Sequence, residues 1–164
     1  MQEAVTNGAY DVSRIREDFP ILAMPVYGKP LVYLDNAASA QKPKAVLDRL
    51  QHAYTAEYAN VHRGLHYLAN AATEAYEGAR EKARSFLNAG STEEIIFTRS
   101  GTGAINLVAQ SFGGMVLEPG DEVLISAMEH HSNIVPWQIL AGEKGAHIAY
   151  VPLTDDECLD LEAF

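Results

Sequence analysis

The sequence is poor in cysteine and in basic residues. Cys158 is the single cysteine among 164 residues, which excludes an internal disulfide framework and a multi-cysteine zinc site and favours a reducing cytoplasm. Twelve Lys and Arg stand against 22 Asp and Glu, for a formal net charge of -10. Such acidity opposes binding to nucleic-acid phosphates or to anionic lipid. We therefore expect no nucleic-acid partner and no membrane partner.

Long apolar runs are also absent. The N-terminal 18 residues contain no apolar core of an export signal, and the longest uncharged run, residues 100–117, is interrupted by four glycines and several polar residues. We expect neither a signal peptide nor a transmembrane helix. A hydrophobic fraction of 48% and a charged fraction of 21% are typical of a water-soluble globular protein with a core.

The N-terminal half is predicted to be mainly helical. Residues 1–11 are interpreted as a flexible leader before a domain at 12–164, which begins with a short helix that Pro20 stops. Residues 31–34 are predicted to be a strand leading to Ala37 and Ala38, whose small side chains let a ligand approach the backbone. Two amphipathic helices follow, one starting after Pro43 and one ending near residue 88.

The C-terminal half alternates apolar runs rich in β-formers with helical spacing. Strands are predicted at 95–98, 123–125 and 148–151, with a helix to about Phe112 and another over 133–144. This βαβαβ order is typical of a parallel sheet with flanking helices, so the predicted fold class is α/β. No repeat and no second domain boundary is visible.

A small-residue loop at residues 98–106 follows the first of these strands and opens a helix. Such a terminus offers unpaired N–H groups and the positive end of the helix dipole, here with the hydroxyls of Ser100 and Thr102 as further donors. This predicts a phosphate site, although a plain glycine-rich turn has the same sequence features. A dinucleotide motif requires a glycine where Asn106 stands, and the P-loop motif is absent.

The next strand leads directly into Glu129-His130-His131. The carboxyl ends of parallel strands share one edge of a sheet, so this turn should lie on the same edge as the Gly101 loop. At least one functional histidine is therefore predicted, the alternative being a helix cap and a solvated side chain. No metal site is expected, because the spacing is not His-Glu-x-x-His.

Residues 60–66 form a polar stretch predicted to be an ordered loop. His62 and His66 are four apart, but Gly64 between them argues against a helical metal pair. Arg63 is predicted to be an anion clamp or an interface residue. Cys158 is interpreted as structural or incidental, because its acidic neighbours disfavour the thiolate.

Three blocks, residues 33–43, 61–66 and 128–137, resemble the N-terminal motifs of the SufS-type (group II) cysteine desulfurases of the class V aminotransferase fold. The resemblance implies the N-terminal portion of a fold-type I transferase dependent on pyridoxal 5'-phosphate, incomplete here and a homodimer when complete. The implied reaction converts L-cysteine to L-alanine and leaves an enzyme-bound persulfide. The resemblance further implies that a sulfur-acceptor protein of iron–sulfur cluster assembly takes the sulfur, and we expect this to occur in the cytoplasm.

The resemblance also implies roles for individual residues. His130 matches the imidazole stacked on the cofactor ring, and Gly101 and Thr102 match the pair that cradles its phosphate. Ala37 and Ala38 would lie near the substrate. The remaining two candidates, His62 and Arg63, would lie at the mouth of the active site and near the dimer interface.

Some family features are replaced or missing. Gly101 stands where the family usually has threonine, Gly103 where it has glutamate, and Glu157 where it has a turn glycine. The family's Schiff-base lysine and nucleophilic cysteine belong to segments beyond Phe164, so we expect the 164-residue chain alone to be inactive. Alternatives are a selenocysteine lyase or another class V lyase, a non-catalytic truncated module and, ranked last, a Rossmann-like nucleotide binder.

Overall fold

The computed structural model describes residues 5–6 and 9–164, and the chain divides into two units, residues 1–95 and 96–164. The predicted leader, residues 1–11, lies partly outside the described residues. Of this segment, β1 (Val5–Thr6) pairs antiparallel with β2 (Ala9–Tyr10). The leader and the domain boundary after it therefore stay predictions.

Three helices dominate the described part of the first unit. They are α1 (Val12–Glu17), α2 (Lys44–His52) and α3 (Tyr67–Leu87). A 3-10 turn at Pro20–Ala23 follows α1, and a π-helical turn at Ala53–Glu57 extends α2. The predicted helices are thus confirmed, and Asn88 ends α3 in the left-handed conformation, with φ 56°.

The predicted strand at residues 31–34 is wrong. Pairing instead occurs earlier, between β3 (Pro25–Val26) and β4 (Lys29–Pro30). The two-residue turn between them has positive φ at both positions, Tyr27 and Gly28, as a tight hairpin requires. Residues 31–34 are irregular, because no described strand pairs with them and an apolar run alone does not make a ladder.

A βαβ unit forms the centre of the second unit. Its strands, β5 (Glu122–Ser126) and β6 (His147–Val151), are parallel, with Glu122 opposite His147. Helix α6 (Val135–Lys144) connects them. The core of this unit contains Ile125, Leu140, Ala141 and Val151, all buried. The predicted parallel pairing of these two strands is confirmed.

The predicted strand at residues 95–98 is also wrong, since this segment is irregular. It has no ladder with any described strand, although Ile95 itself is buried. The helix that follows is confirmed in position but interrupted. It consists of α4 (Gly101–Val108), a π-helical turn (Ala109–Gly113) and the short α5 (Gly114–Val116).

The π-helical turn brings Gly113 against α6. A Cβ at Gly113 would lie 2.6 Å from Leu140 Cδ2 and 3.2 Å from Trp137 Cζ3, so the close approach of the two segments needs a glycine here. Within the described residues, no helix is both long and apolar enough to span a membrane.

Candidate functional site

The N-terminus of α4 offers free hydrogen-bond donors. Ser100 caps the helix, with its Oγ accepting from Gly103 N–H at 3.1 Å and its carbonyl accepting from Ala104 N–H at 3.0 Å. The N–H groups of Gly101 and Thr102 precede the first intrahelical donor, Ala104 N–H, so the helix itself supplies no acceptor for them. Both residues are exposed, and the end of the helix therefore presents two donors and a positive dipole to solvent.

The side-chain space around this end is open. A Cβ at Gly101 would meet no atom within 4 Å. Asn106, which stands where a dinucleotide motif would require glycine, donates from Nδ2 to the Thr102 carbonyl at 2.9 Å. The first turn is thus held by its own side chains and leaves its amides available.

His130 lies in the turn after β5 and caps the 3-10 turn His131–Asn133. Its Nδ1 accepts from Ser132 N–H at 3.1 Å and lies 2.9 Å from Ser132 Oγ. A nitrogen that accepts an N–H bond carries no proton, so the neutral ring holds its hydrogen on Nε2. The cap therefore fixes both the orientation and the tautomer of the imidazole.

Glu129 braces this turn from both sides. Ser126 Oγ at the end of β5 donates to Oε1 at 2.8 Å, and Asn133 Nδ2 donates to Oε2 at 2.9 Å. Trp137 Nε1 on α6 donates in turn to Asn133 Oδ1 at 3.0 Å. The hydrogen bonds from Asn133 and then from Ser126 lower the pKa of Glu129, against an opposing effect of burial.

Sequence reasoning missed this brace. The signal was present as regular spacing, since Glu129, Asn133 and Trp137 follow one another at intervals of four residues. The 3-10 turn His131–Asn133 lies beside α4. The second unit thus contains the predicted phosphate donors and the predicted histidine on neighbouring elements.

The other predicted site residues belong to the first unit. Ala37 and Ala38 are exposed in a turn, which the Tyr33 hydroxyl closes by donating to the carbonyls of Asp35 at 3.1 Å and Ser39 at 2.8 Å. Sequence analysis did not identify Tyr33 as the residue that holds this turn.

Residues 60–66 form an irregular stretch, which contacts the start and middle of α3. His62 has a left-handed backbone, with φ 68°, and its N–H donates to Thr73 Oγ1 at 2.9 Å. Its Nε2 lies 3.1 Å from Glu77 Oε1. Arg63 is exposed, and within residues 10–164 no acceptor or carboxylate pairs with it. The stretch therefore contains an exposed arginine, without a partner among residues 10–164, next to a histidine that α3 holds in place.

Comparison with known proteins identifies relatives of this chain. The profile of the family described as aminotransferase class-V matches residues 32–164. A cysteine desulfurase of Pectobacterium atrosepticum is 54% identical over 153 residues, which are 93% of this chain and 38% of that protein. A cysteine desulfurase of Synechococcus elongatus is 55% identical over 146 residues, covering 89% of this chain and 23% of that protein.

Solved structures agree with the predicted fold class. A cysteine desulfurase from Escherichia coli matches with a TM-score of 0.77 at 39% identity, over 94% of this chain and 37% of that one. An apo cysteine desulfurase from Thermococcus onnurineus matches with a TM-score of 0.82 at 34% identity, over 93% of this chain and 36% of that one. The chain therefore spans less than two fifths of the length of these relatives, and it belongs to the aminotransferase class-V family.

Proposed function

We propose that this chain is the N-terminal part of a pyridoxal-phosphate-dependent cysteine desulfurase. The enzyme would convert L-cysteine to L-alanine and retain the sulfur as a persulfide for iron–sulfur cluster assembly. The observation that carries the proposal is the pairing, within the second unit, of a capped helix terminus with a fixed imidazole on a neighbouring turn. The high identity to proteins named cysteine desulfurase supports the choice of reaction.

The residues of this unit fit pyridoxal phosphate. A phosphate needs several N–H or O–H donors, and the amides of Gly101 and Thr102 together with the Thr102 hydroxyl supply them at the positive end of α4. The open space at Gly101 leaves room for the anion. When bound, the cofactor acts as an electron sink that eases removal of the substrate α-proton.

His130 would cover one face of the cofactor ring. Its Nδ1 is committed to the Ser132 N–H, so the ring cannot turn over without losing that bond. The hydrogen on Nε2 is then the one available to the site. Glu129 would keep this geometry by tying the turn to β5 through Ser126 and, through Asn133, to Trp137 of α6.

Residues of the first unit would serve the substrate. Ala37 and Ala38 leave space for an amino acid, while Arg63 supplies a positive charge and His62 a polar side chain. We further propose a cytoplasmic homodimer that passes sulfur to an acceptor protein. The catalytic lysine and cysteine would come from a longer polypeptide, so the 164-residue chain would have no turnover of its own.

Alanine release from L-cysteine tests this function. We expect the full-length protein with pyridoxal phosphate to release alanine and to hold sulfur as persulfide, whereas the 164-residue chain releases none. Steady release by the short chain that is unchanged when its lysines are replaced by alanine would contradict the mechanism. A full-length protein that acts on selenocysteine and not on cysteine would contradict the substrate.

A further inference from the structure

Trp137 contacts two structures, the helical segment that starts at Gly101 and the turn that carries His130. Its ring lies against Gly113, since a Cβ placed there would lie 3.2 Å from Trp137 Cζ3. Its Nε1–H donates to Asn133 Oδ1 at 3.0 Å. The side chain is half-buried, and an indole N–H in such a place usually has a hydrogen-bond partner. One side chain therefore touches both parts of the candidate cofactor site.

The contact at Gly113 fixes the position of α4. Gly113 is buried and ends the π-helical turn Ala109–Gly113, which continues α4 without a break. Leu140 of α6 is also buried, and its Cδ2 would lie 2.6 Å from the same Cβ. Because closely packed side chains leave little room for movement, this helical segment is held at one distance from α6. A π-helical turn is rare and is frequent at functional sites.

The hydrogen bond between Trp137 and Asn133 has one possible orientation. An indole only donates, so it bonds the amide oxygen of Asn133 and leaves Nδ2 to face Glu129 Oε2, 2.9 Å away. A carboxylate only accepts, so this second bond also has one orientation. The Asn133 backbone N–H donates to the His130 carbonyl at 2.7 Å. By fixing the Asn133 amide, Trp137 restrains the turn that holds His130.

We propose that Trp137 is a positioning residue that sets the spacing between the N-terminus of α4 and the imidazole of His130. The proposal rests on the proposed function, in which the first binds the cofactor phosphate and the second covers the cofactor ring. Since phosphate and ring belong to one small molecule, the groups that bind them must be held at a matching distance. Trp137 acts through Gly113 and Asn133, without contact to the cofactor.

Two substitutions in the full-length protein disturb the two contacts separately. Gly113→Ala adds a methyl group at the point where α6 comes closest, whereas Trp137→Phe keeps an aromatic ring and removes the N–H. The matched control is Gly114→Ala. Gly114 has nearly the same backbone, with φ -59° against -57° at Gly113, but a Cβ there meets nothing within 4 Å. Both alanines gain the same helix propensity, so their difference isolates the contact.

Hydrogen exchange of the Asn133 backbone amide measures the turn in the absence of the cofactor. In the cofactor-free protein we expect this exchange to become about tenfold faster in Gly113→Ala and in Trp137→Phe. In both variants the bond between the indole and Asn133 is weakened or lost. Exchange in Gly114→Ala should match the wild type.

The second readout is the bound cofactor. We expect Gly113→Ala and Trp137→Phe to bind pyridoxal phosphate about threefold to tenfold more weakly, because its phosphate and ring contacts no longer match. The visible circular dichroism of the bound cofactor should also change, since it reports how the protein holds the ring. A loss of stability alone would leave that signal unchanged in the folded fraction. Gly114→Ala should again match the wild type.

Unchanged amide exchange in Trp137→Phe would overturn the proposal, because the indole would then not hold the turn. Faster exchange with wild-type cofactor affinity and circular dichroism would also overturn it, as would equal effects of Gly113→Ala and Gly114→Ala. If Gly113→Ala does not fold, Trp137→Phe, which adds no volume, decides the proposal alone. A folded wild-type protein that binds no pyridoxal phosphate would instead contradict the proposed function, and exchange would still show whether Trp137 holds the turn.

Discussion

Gly64 is a point of close approach between the stretch of residues 60–66 and α3, since a Cβ on it would lie 2.1 Å from the Ala69 Cβ. Its φ is not positive, so the constraint is steric and not conformational. The neighbour, Ala69, is 0% exposed and cannot give way easily. The glycine of this motif therefore has a packing reason that is independent of any chemistry in the loop.

A pair of glycine substitutions tests this. We expect Gly64→Ala to lower the free energy of unfolding by about 1–3 kcal/mol through overpacking. Gly78→Ala should raise it by up to about 1 kcal/mol, because Gly78 lies inside α3 and a Cβ there meets nothing within 4 Å. Urea denaturation of the two variants would measure both changes. Equal effects of the same sign would contradict the packing argument.

Glu129 makes a pH-dependent contribution to stability. Its pKa is lowered in the folded state from the ordinary value of 4.5, so its stabilisation is present above that value and is lost as the pH falls below it. We expect Glu129→Gln to flatten this part of the acid limb in a plot of Tm against pH. If the Tm of the variant fell with decreasing pH as steeply as that of the wild type, the stabilising role of the ionised Glu129 would be contradicted.

The space beside Gly101 is open, and the family resemblance implies a threonine at this position. Since no atom lies within 4 Å of a Cβ at this position, Gly101→Thr should fold normally and add a hydroxyl donor beside the free amides. We expect the full-length variant to bind pyridoxal phosphate about threefold to tenfold more tightly. Equilibrium dialysis would measure this, and weaker binding would contradict the assignment of this terminus to the phosphate.

At the scale of elements, the sequence predicts helices better than strands. The boundaries of α1, α3 and α6 follow from local signals such as Pro20, Asn88 and Gly145, which act within a few residues. A strand exists only when another segment pairs with it, and the apolar runs at 31–34 and 95–98 have no described partner strand. Strands β5 and β6 could be predicted because they pair with each other and because a single helix, α6, connects them.

Some features of the candidate site could likewise be predicted from the sequence and others could not. The helix terminus at Gly101 and the turn at His130 could be located from the sequence, because small-residue loops and capping residues such as Ser100 are local signals. The strand predicted before the Gly101 loop is not formed. The brace at Glu129 and the anchor of His62 on Thr73 and Glu77 could not, since they depend on which side chains meet once the helices form. The sequence showed only that His62 stands four residues before His66, with Gly64 arguing against a metal pair. In the structure its contacts are with a hydroxyl and a carboxylate.

At the scale of the whole molecule, the chain leaves much apolar surface exposed. Leu34 is 90% exposed, Phe86 88% and Leu65 103%. Exposed apolar area of this extent is unusual for a monomer in water.

We therefore expect the isolated 164-residue chain to self-associate. Analytical ultracentrifugation at micromolar concentration should give species larger than 17.9 kDa, and a dye that binds apolar surface should fluoresce strongly with it. A monodisperse monomer with which the dye does not fluoresce would show that these side chains are covered in solution.

The central claim is that the terminus of α4 and the His130 turn belong to a pyridoxal phosphate site. The most direct test is the cofactor content and visible absorption of the purified full-length protein and of its His130→Ala variant. We predict about one pyridoxal phosphate per chain in the wild type, and a shifted absorption band in the variant when the stacked imidazole is removed. A folded wild-type protein that is colourless and binds a nucleotide in place of pyridoxal phosphate would contradict the account.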